Sequence, residues 1–410
     1  MRIIIASQTY SPGNGQASFT IQLAENMAKH GHQVMVIAPS ENMHAYGTYK
    51  NDVRIEKVPA VHLSLLHPAM YITPMPAPYV KKLFNAFQPD VVHIQDHYFL
   101  CSAIVNEAHQ RAIPLIGTNH FLPENILPLL KNLPRLQHLF AIPLWQMMLS
   151  VFNKLDVATT PSKTAARILR AQKIRIPVHA ISNGVDINRF KPDPVVDHIG
   201  IRRKYELDTD KFIFLYVGRL DGEKRLDILL SAIALLPRND IQLALCGQGF
   251  AEQALRKQVQ AQGQEGRVKF IGFAKPEDLS AIYNSADVFV MPSPEELQSI
   301  ATLEAMACGK PILAANARAL PELVQTDING YLFEPNNPAD AAQGIEYLLS
   351  VSDKWQEMGK ASFKQAQLHS AQNSIKQYEE HYKTITERIH IKSGQIASSQ
   401  KKYAERLSGR

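Results

Sequence analysis

Residues 212–230, FIFLYVGRLDGEKRLDILL, contain the pattern that decides the fold class. The apolar run Phe212–Val217 has the length of a buried strand, and a turn with glycines and several charges follows it directly. Short runs rich in Val and Ile alternate with amphipathic segments of helix length along the chain. This alternation is typical of parallel strands joined by right-handed helical crossovers. The sequence therefore predicts an α/β fold.

The strand-like runs form two series, one in each half of the chain. They are Arg2–Ala6, Gln33–Ala38, Val53–Val58, Asp90–Ile94, Pro114–Thr118, Asp156–Thr160 and Val178–Ile181, then Phe212–Val217, Ile241–Leu245, Val268–Ile271, Asp287–Met291 and Pro311–Ala315. Single hydrophobic cores stop growing near ~250–300 residues. A chain of 410 residues that restarts its pattern is therefore predicted to form two doubly wound domains.

The predicted domain boundary lies in residues 188–200, NRFKPDPVVDHIG, where Pro192 and Pro194 exclude a helix. We expect a first domain at 1–190 and a second at 200–372. The helical pattern near the end predicts a helix at 373–390 that crosses back to the first domain. A basic tail, 391–410, completes the chain.

Composition excludes several classes of protein. Hydrophobic residues make up 45% and charged residues 20% of the chain, which is a globular composition. The three cysteines, Cys101, Cys246 and Cys308, are an odd number without a C-x-x-C pair, so we predict neither a disulfide framework nor a thiolate zinc site. The longest nearly apolar stretch, Phe140–Phe152, is too short for a spanning helix, which needs ~20 residues. We expect a cytoplasmic protein, with no signal peptide in its N-terminal sequence.

The net charge of +6 is concentrated at the C-terminus. From Arg388 onward the chain has six Lys or Arg residues and one Glu, so the remainder is nearly neutral. A nucleic-acid-binding body would carry its basic excess on a structured face, so we expect no nucleic-acid partner. The tail suits an anionic membrane surface, although a disordered solubilising end explains it equally well.

The N-terminal strand Arg2–Ala6 leads into residues 7–18, SQTYSPGNGQAS, and then into a helix. A glycine-rich turn at a helix N-terminus presents backbone N–H groups that favour phosphate. The alternative is that Gly13 and Gly15 only turn the chain. A dinucleotide fingerprint needs G-x-G-x-x-G, and Ser18 stands where its third glycine would be, so a nicotinamide enzyme is a weaker interpretation.

Two cations follow strand Phe212–Val217 at the end where open α/β sheets bind ligands. Arg219 and Lys224 could converge on a diphosphate and stabilise a leaving group that gains negative charge. The alternative is a solvated loop with ordinary surface charges.

Two carboxylates follow strand Asp287–Met291 with seven residues between them, Glu296 and Glu304. If a helix begins near Gln298, its N-terminal N–H groups form an anion site beside Glu296. Glu304 could accept both hydroxyls of a ribose. Alternatively, Glu296 compensates the helix dipole and Glu304 lies on an exposed face, but Glu304 stands in an apolar run where an unpaired charge is costly.

The ordered set of motifs resembles the retaining nucleotide-sugar glycosyltransferases with two Rossmann-like domains (the GT-B type, group 1 or family 4). The segments that carry the resemblance are residues 11–39, PLIGTNH (114–120), SNGVDINRF (182–190), YVGRLDGEKRLDILL (216–230), LCGQG (245–249), residues 268–293 and the E-x7-E segment ending in LEAMACGKP (303–311). The resemblance implies two domains that face each other across a cleft, with the C-terminal helix returning to the first.

The resemblance also implies roles for individual residues. The residues with implied donor contacts are Gly15, Arg219, Lys224, Ala274, Glu296, Gln298, Ser299, Ile300 and Glu304, and the catalytic set is His120, Arg219, Lys224 and Glu296. In this scheme Arg219 and Lys224 hold the diphosphate, Glu304 the ribose and Glu296 the sugar. The Gly15 amide closes over the phosphates, Ala274 meets the nucleobase, and His120 contacts the sugar near the reacting carbon. Neither a protein nucleophile nor a metal is then required, and no cofactor is expected.

The family loops contain two departures. Asn14-Gly15 replaces the usual Gly-Gly, and Leu297-Gln298-Ser299 replaces the frequent Gly-Phe-Gly after the first glutamate. The identity of the donor sugar is therefore not carried over. The resemblance implies a nucleoside diphosphate sugar, and UDP is the expected nucleotide.

The acceptor side is predicted around Asp96, His97 and Asn183. Asp96 and His97 follow a strand and could position or deprotonate an acceptor hydroxyl, or form a satisfied pair of loop residues. Residues 118–125, TNHFLPEN, look most like diacylglycerol glycosyltransferases. The leucine-rich segment that follows, with Trp145, is either a core-facing helix pair or an amphipathic membrane contact.

The expected reaction is transfer of a hexose to a lipid hydroxyl, such as that of diacylglycerol, by an enzyme at the inner face of the plasma membrane. A soluble or cell-envelope saccharide is the alternative acceptor. A nicotinamide-dependent dehydrogenase and a membrane-associated binding protein without turnover are the remote alternatives. The motif Asp208-Thr209-Asp210 precedes a strand and is interpreted as a turn rather than a metal site.

Overall fold

The structure is a computed structural model that describes residues 1–10, 15–62, 71–120 and 134–388. These residues form two compact units. The first contains the described residues within Met1–Pro161 and Ala166–Ile181 and those at 375–388, and the second contains Ser162–Ala165 and Ser182–Ser374. Each unit is a Rossmann-like α/β domain, so the predicted fold class is confirmed.

The first unit is built on an eight-stranded sheet. Its elements are β1 (Arg2–Ala6), α1 (Gly15–Lys29), β2 (Gln33–Pro39), β3 (Tyr46–Lys50), β4 (Val53–Val58), β5 (Val61–His62), β6 (Tyr71–Ile72), α2 (Ala77–Phe87), β7 (Val91–Ile94), α3 (Phe99–Gln110), β8 (Leu115–Thr118), α4 (Pro134–Phe152), β9 (Val157–Thr160), α5 (Lys163–Arg170), β10 (Val178–Ala180) and a last helix, α13, at 371–388. The strand order is β10-β9-β8-β7-β1-β2-β4-β3, and only the β3–β4 pairing is antiparallel.

The centre of this sheet is buried on both faces, as a parallel sheet flanked by helices requires. Ile3, Ile4 and Ile5 of β1 have no exposed surface, and Ile5 lies between Val36 of β2 and His93 of β7. The carboxyl ends of β1, β7 and β8 therefore meet at one edge, where the loops carrying the predicted residues of this unit begin.

The second unit has a six-stranded, wholly parallel sheet. Its elements are α6 (His198–Lys204), β11 (Phe212–Val217), a 3-10 turn (Gly222–Lys224), α7 (Leu226–Leu235), β12 (Ile241–Cys246), α8 (Glu252–Ala261), β13 (Val268–Gly272), α9 (Leu279–Ser285), β14 (Val288–Met291), α10 (Ile300–Ala307), β15 (Ile312–Ala315), β16 (Gly330–Phe333), α11 (Pro338–Ser350) and α12 (Trp355–Leu368). The order β13-β12-β11-β14-β15-β16 places β11 between β12 and β14.

The chain enters the second unit at Ser182, before the proline-rich segment where the sequence predicts the boundary. Residues 182–190 belong to this unit because their side chains pack in its core and their backbone forms hydrogen bonds with it. The Val185 amide donates to the His369 carbonyl at 2.9 Å, and Val185 and Phe190 are buried in the core of the second unit. Residues 182–190 therefore lie in the second unit, whereas the sequence predicts them in the first domain, 1–190.

Helix α13 begins at the end of the second unit and joins the first unit from Ile375. Tyr378 and Tyr382 on this helix are completely buried. The Tyr382 hydroxyl lies 2.7 Å from His93 Nδ1, and the Tyr378 hydroxyl lies 3.2 Å from Thr118 Oγ1. These contacts attach α13 to the sheet of the first unit. The predicted basic tail, 391–410, lies outside the described residues.

Candidate functional site

The carboxyl ends of β11 and β12 approach each other closely at two glycines. Gly247 has a φ of 139°, and a Cβ atom added there would lie 1.9 Å from the Gly218 carbonyl oxygen. Only glycine fits such an approach, because any side chain would overlap the neighbouring backbone. The loops that follow β11 and β12 are therefore held side by side at this edge of the sheet.

Arg219 follows Gly218 directly and is held by acidic neighbours. Its guanidinium donates to the carboxylates of Asp221 and Glu223. Its carbonyl accepts a hydrogen bond from the Tyr216 hydroxyl at 2.8 Å, which fixes the backbone at the strand end. Its side chain is 39% exposed, so the guanidinium is available at the surface while its charge is locally balanced.

Lys224 and Glu296 are brought together from loops 72 residues apart. Lys224 Nζ donates to Glu296 Oε1 at 2.6 Å, and the two side chains are 20% and 11% exposed. Lys224 ends the 3-10 turn after β11, and Glu296 lies in the loop after the adjacent strand β14. The sequence selects both residues, and the structure adds the direct ion pair between them.

The N-terminus of α10 carries the next group of predicted residues. Ser299 caps the helix, because its hydroxyl accepts from the Thr302 amide at 3.2 Å, and Ile300 is the first helical residue. Gln298 Oε1 accepts from the Asn183 amide at 2.8 Å. Asn183, predicted on the acceptor side, therefore lies beside Gln298 in the second unit.

Glu304 lies one turn further along α10 and is partly buried. Its Oε2 accepts a hydrogen bond from the Tyr283 hydroxyl at 2.8 Å. Burial raises the pKa of Glu304 to about 7, although the Tyr283 hydrogen bond and the charge of Arg189 both act to lower it. A carboxylate with this pKa changes charge near neutral pH, which sequence patterns do not indicate.

Ala274 follows β13 at the same edge and is 9% exposed. The Gly272 carbonyl accepts from the Gly247 amide at 2.8 Å, so the loops after β12 and β13 are joined. Two large aromatic side chains of these loops, Phe250 and Phe273, are 71% and 67% exposed. The edge therefore combines the charged groups after β11 and β14 with an apolar surface after β12 and β13.

In the first unit, His120 follows β8 and contacts Gln95, which follows β7. His120 Nε2 lies 2.8 Å from Gln95 Oε1, so Nε2 carries the proton and donates to the amide oxygen. Burial lowers the pKa of His120 to about 3, which keeps the imidazole neutral. The ring lies 5.0 Å from that of Phe19 on α1. Gln95 is a functional candidate that the sequence analysis missed.

Asp96 is buried at the same edge and accepts three N–H hydrogen bonds. They come from the Gln8 amide at 2.6 Å, Gln16 Nε2 at 3.0 Å and the Tyr98 amide at 3.2 Å. Burial raises the pKa of Asp96, although these hydrogen bonds act in the opposite direction. The carboxylate therefore joins the loops after β1 and β7 to the start of α1.

His97 is 4% exposed, and burial lowers its pKa to about 4. An imidazole with so low a pKa is a weak base near neutral pH. Of the predicted pair, the structure thus gives Asp96 a clear role in joining the loops, while the role of His97 in deprotonating an acceptor stays a prediction.

Gly15, the predicted amide over the phosphates, is the first residue of α1. Gly13 and Asn14 of the same loop lie outside the described residues, as do residues 121–133 of the predicted membrane contact. Trp145 in α4 is 8% exposed and Met148 is fully buried, so one side of this part of α4 faces the core, whereas Ile142 and Met147 are exposed. Within the described ranges no helix is long and apolar enough to span a membrane.

Among the described side chains, no group of three or more His, Cys, Asp or Glu residues is placed to hold a metal ion. Asp208 Oδ1 accepts from the Asp210 amide at 2.9 Å and Asp208 pairs with Lys211, so this motif forms a bend before β11. The expectation that the enzyme needs no metal stays a prediction.

Two family models match the chain in succession. Residues 13–189 match "Glycosyltransferase Family 4", and residues 198–365 match "Glycosyl transferases group 1". The chain belongs to the group 1 and family 4 glycosyltransferases. Together the two matches cover most of both described units.

Relatives of this glycosyltransferase have several specificities. It is 27% identical over 337 residues to a GDP-mannose-dependent alpha-mannosyltransferase of Corynebacterium glutamicum, covering 82% of this chain and 77% of the relative. It is 27% identical over 303 residues to a D-inositol 3-phosphate glycosyltransferase of Salinispora tropica, covering 70% of this chain and 62% of the relative. The structure of Anabaena HepE in complex with UDP-glucose has the same fold, with a TM-score of 0.77, 21% identity and coverage of 94% and 100%.

The structure joins the predicted residues of this glycosyltransferase into separate groups within each unit. In the second unit the pairs are Lys224 with Glu296 and Gln298 with Asn183. Tyr283, the partner of Glu304, is a second residue that sequence reasoning missed. Tyr283 is a buried residue of α9, and no local sequence pattern links it to Glu304, which lies 21 residues later.

Proposed function

We propose that this glycosyltransferase transfers a hexose from a nucleoside diphosphate sugar, UDP-linked, to a hydroxyl of a lipid acceptor with retention at the anomeric carbon. The observation that carries the proposal is the Lys224–Glu296 ion pair at 2.6 Å, placed at the edge where open α/β sheets bind ligands. The UDP-glucose in the HepE complex supports the choice of nucleotide.

The roles proposed for the second unit follow from its charges. Lys224 and Arg219 bind the diphosphate and neutralise the charge that develops on it as the bond to the sugar breaks. Their local carboxylates balance both cations before the donor arrives. Glu296 accepts a hydrogen bond from a sugar hydroxyl, and Glu304 accepts from the ribose. No metal is required in this scheme because the two cations supply the positive charge.

The proposed chemical step breaks the bond between the anomeric carbon and the β-phosphate oxygen and forms a bond from that carbon to the acceptor oxygen on the same face. The acceptor proton passes to the departing phosphate, so the products are the nucleoside diphosphate and the glycoside. His120, neutral and oriented by Gln95, contacts the sugar near the reacting carbon. We place the enzyme in the cytoplasm, at the inner face of the plasma membrane.

A saccharide acceptor is the second candidate, and the uncharged polar side chains around Asp96 favour it. The relative that acts as a D-inositol 3-phosphate glycosyltransferase also supports an acceptor rich in hydroxyls. The acceptor is therefore tested together with the donor.

The first test measures nucleoside diphosphate release from a panel of UDP- and GDP-sugars, with and without diacylglycerol vesicles. We expect Lys224→Met to lower kcat by roughly 100- to 1000-fold, as removal of one group that stabilises developing charge does. Lys211→Met is the matched control, because Lys211 is similarly exposed and paired with Asp208 but precedes β11 at the opposite edge of the same sheet.

The outcomes separate the alternatives. Release that is stimulated by vesicles and lost in Lys224→Met supports a lipid-directed transferase. Release that only saccharides stimulate moves the acceptor to the second candidate. Equal activity of the Lys224→Met and Lys211→Met variants contradicts the proposed donor site, and no release from any sugar contradicts the proposed transfer.

A further inference from the structure

Several buried polar atoms of the first unit lack a hydrogen-bond partner at the edge that holds Asp96. They are Gln8 Oε1, Thr9 Oγ1, Thr73 Oγ1 and Gln95 Nε2. Gln8, Thr73 and Gln95 are 6%, 1% and 1% exposed. A buried polar group without a partner costs about 1–3 kcal/mol, so several such groups in one region need an explanation.

Hydrogen bonds place Gln8 and Gln95 beside Asp96, and Gln8 also contacts the chain near Thr73. The backbone N–H of Gln8 donates to the Asp96 carboxylate, and the backbone N–H of Gln95 donates to the Ala6 carbonyl at 2.8 Å. Gln8 Nε2 donates to the carbonyl of Tyr71, two residues before Thr73. The side-chain amides of Gln8 and Gln95 are thus held through one atom, by Tyr71 and His120, and unpaired at the other.

The unpaired atoms have a definite chemistry. Gln8 offers an acceptor, Gln95 offers an NH₂ group, and the two threonine hydroxyls both donate and accept. Asp96 already accepts hydrogen bonds from Gln8, Gln16 and Tyr98, so the nearby negative charge is satisfied within the protein. Uncharged groups of both kinds suit a neutral ligand that carries several hydroxyls.

We propose that Gln8, Thr9, Thr73 and Gln95 bind the polyhydroxylated head group of the acceptor, a cyclitol or a sugar, either free or attached to a lipid. The inference rests on the proposed glycosyl transfer and narrows its acceptor. Diacylglycerol has one hydroxyl and leaves most of these atoms unpaired, so it is a poor substrate under this proposal.

Gln95 connects the two halves of the site. Its Oε1 holds His120 by accepting the Nε2 proton, and its unpaired NH₂ group donates to a hydroxyl of the head group. A bound head group therefore orients the same amide that orients His120. Because Gln95 also acts through His120, it is not the residue of choice for a test of acceptor binding.

The test uses Thr73→Val, which replaces a hydroxyl with a methyl group of similar size, and Thr9→Val as the second variant. Removing an unsatisfied buried hydroxyl leaves the ligand-free enzyme equally or more stable. We expect the acceptor KM to rise about 3- to 10-fold, as loss of one hydrogen bond does, with kcat at saturating acceptor and calorimetric affinity for UDP unchanged.

Thr386→Val is the matched control, because the Thr386 hydroxyl is bonded to the Tyr382 carbonyl at 2.7 Å. We expect this variant to leave the acceptor KM unchanged, because its hydroxyl is already paired within α13. A raised KM in Thr73→Val beside an unchanged KM in Thr386→Val separates an unpaired ligand-binding hydroxyl from one that is already paired.

The acceptor panel consists of myo-inositol, glucose, phosphatidylinositol vesicles, glucosyl-diacylglycerol vesicles and diacylglycerol vesicles. Stimulation by the first four probes but weakly by the last supports the proposal, and the free and vesicle arms distinguish a soluble from a lipid-linked head group. Diacylglycerol as the best acceptor, or an unchanged acceptor KM with reduced stability in both variants, overturns it. UDP affinity and acceptor-free donor hydrolysis report on the donor site independently.

Discussion

Replacing Tyr283 with phenylalanine tests whether Glu304 binds the donor as a carboxylate. The Tyr283 hydroxyl donates to Glu304 Oε2 at 2.8 Å and favours the ionised form. Burial already raises the pKa of Glu304 to about 7. Hydrogen bonds to charged groups contribute about 1.5–3 kcal/mol, and one pKa unit is about 1.4 kcal/mol, so their loss raises the pKa by about one to two units.

The pKa of Glu304 in Tyr283→Phe is therefore expected to lie well above neutral pH. At neutral pH the ionised fraction then falls from about one half to between about one tenth and one hundredth. Because only the carboxylate accepts both ribose hydroxyls, the affinity for UDP at neutral pH falls roughly 5- to 50-fold. The affinity recovers as the pH rises through the new pKa.

Calorimetric titration of UDP across a pH range that spans both values measures this shift. Tyr331→Phe is the matched control, because Tyr331 donates to Asp340 Oδ1 at 3.0 Å in the same unit. The titration of the nucleotide itself is common to both variants. Coincident pH profiles for Tyr283→Phe and Tyr331→Phe would refute a role for ionised Glu304, and so would an affinity that increases on acidification.

Two further predictions concern stability. Burial acts to raise the pKa of Glu379, but hydrogen bonds from His32 and His30 outweigh it and lower the pKa. Ionised Glu379 therefore stabilises the fold at pH values above the pKa that this carboxyl has in the unfolded chain. The stabilisation is lost as the pH falls through the lower pKa that it has in the folded protein. Glu379→Gln should lower the thermal midpoint at neutral pH and approach wild type in acid, measured by circular dichroism; a constant difference contradicts this. Gly247→Ala should cost more than about 3 kcal/mol in urea unfolding, whereas Gly266→Ala, which has open space around it, should be nearly neutral.

Strand prediction succeeded where burial on both faces leaves an apolar run, and it missed one of the two edge strands of each large sheet, β3 and β16. β11 and β14 are almost entirely apolar and were predicted to within a residue. β3, residues 46–50, was missed because all five residues of this edge strand are exposed and no hydrophobic pattern marks them. β16, an edge strand of the six-stranded sheet with only four residues, was also not predicted.

The positions of the candidate site residues were predictable where one local motif places a charged side chain after a strand. Lys224 and Glu296 were identified in this way, and their ion pair follows from the adjacency of β11 and β14. Tyr283 and Gln95 were missed because each acts through a partner in another element. The assignment of residues 182–190 to the second unit rests on the pairing of Val185 with Ser370, two positions 185 residues apart that no local pattern links.

The two units present different chemistry at the carboxyl edges of their sheets, and this difference constrains the ligand of each. Arg219 and Lys224 in the second unit are matched by carboxylates, so under the proposed function an arriving diphosphate replaces one set of anionic partners with another. This exchange avoids exposing uncompensated cations in the ligand-free enzyme. In the first unit, Gln8 and Gln95 instead leave neutral polar atoms buried and unpaired. A neutral ligand that supplies several hydrogen bonds recovers a cost of that kind without burying a charge, which is why the proposed acceptor is identified by its hydroxyls.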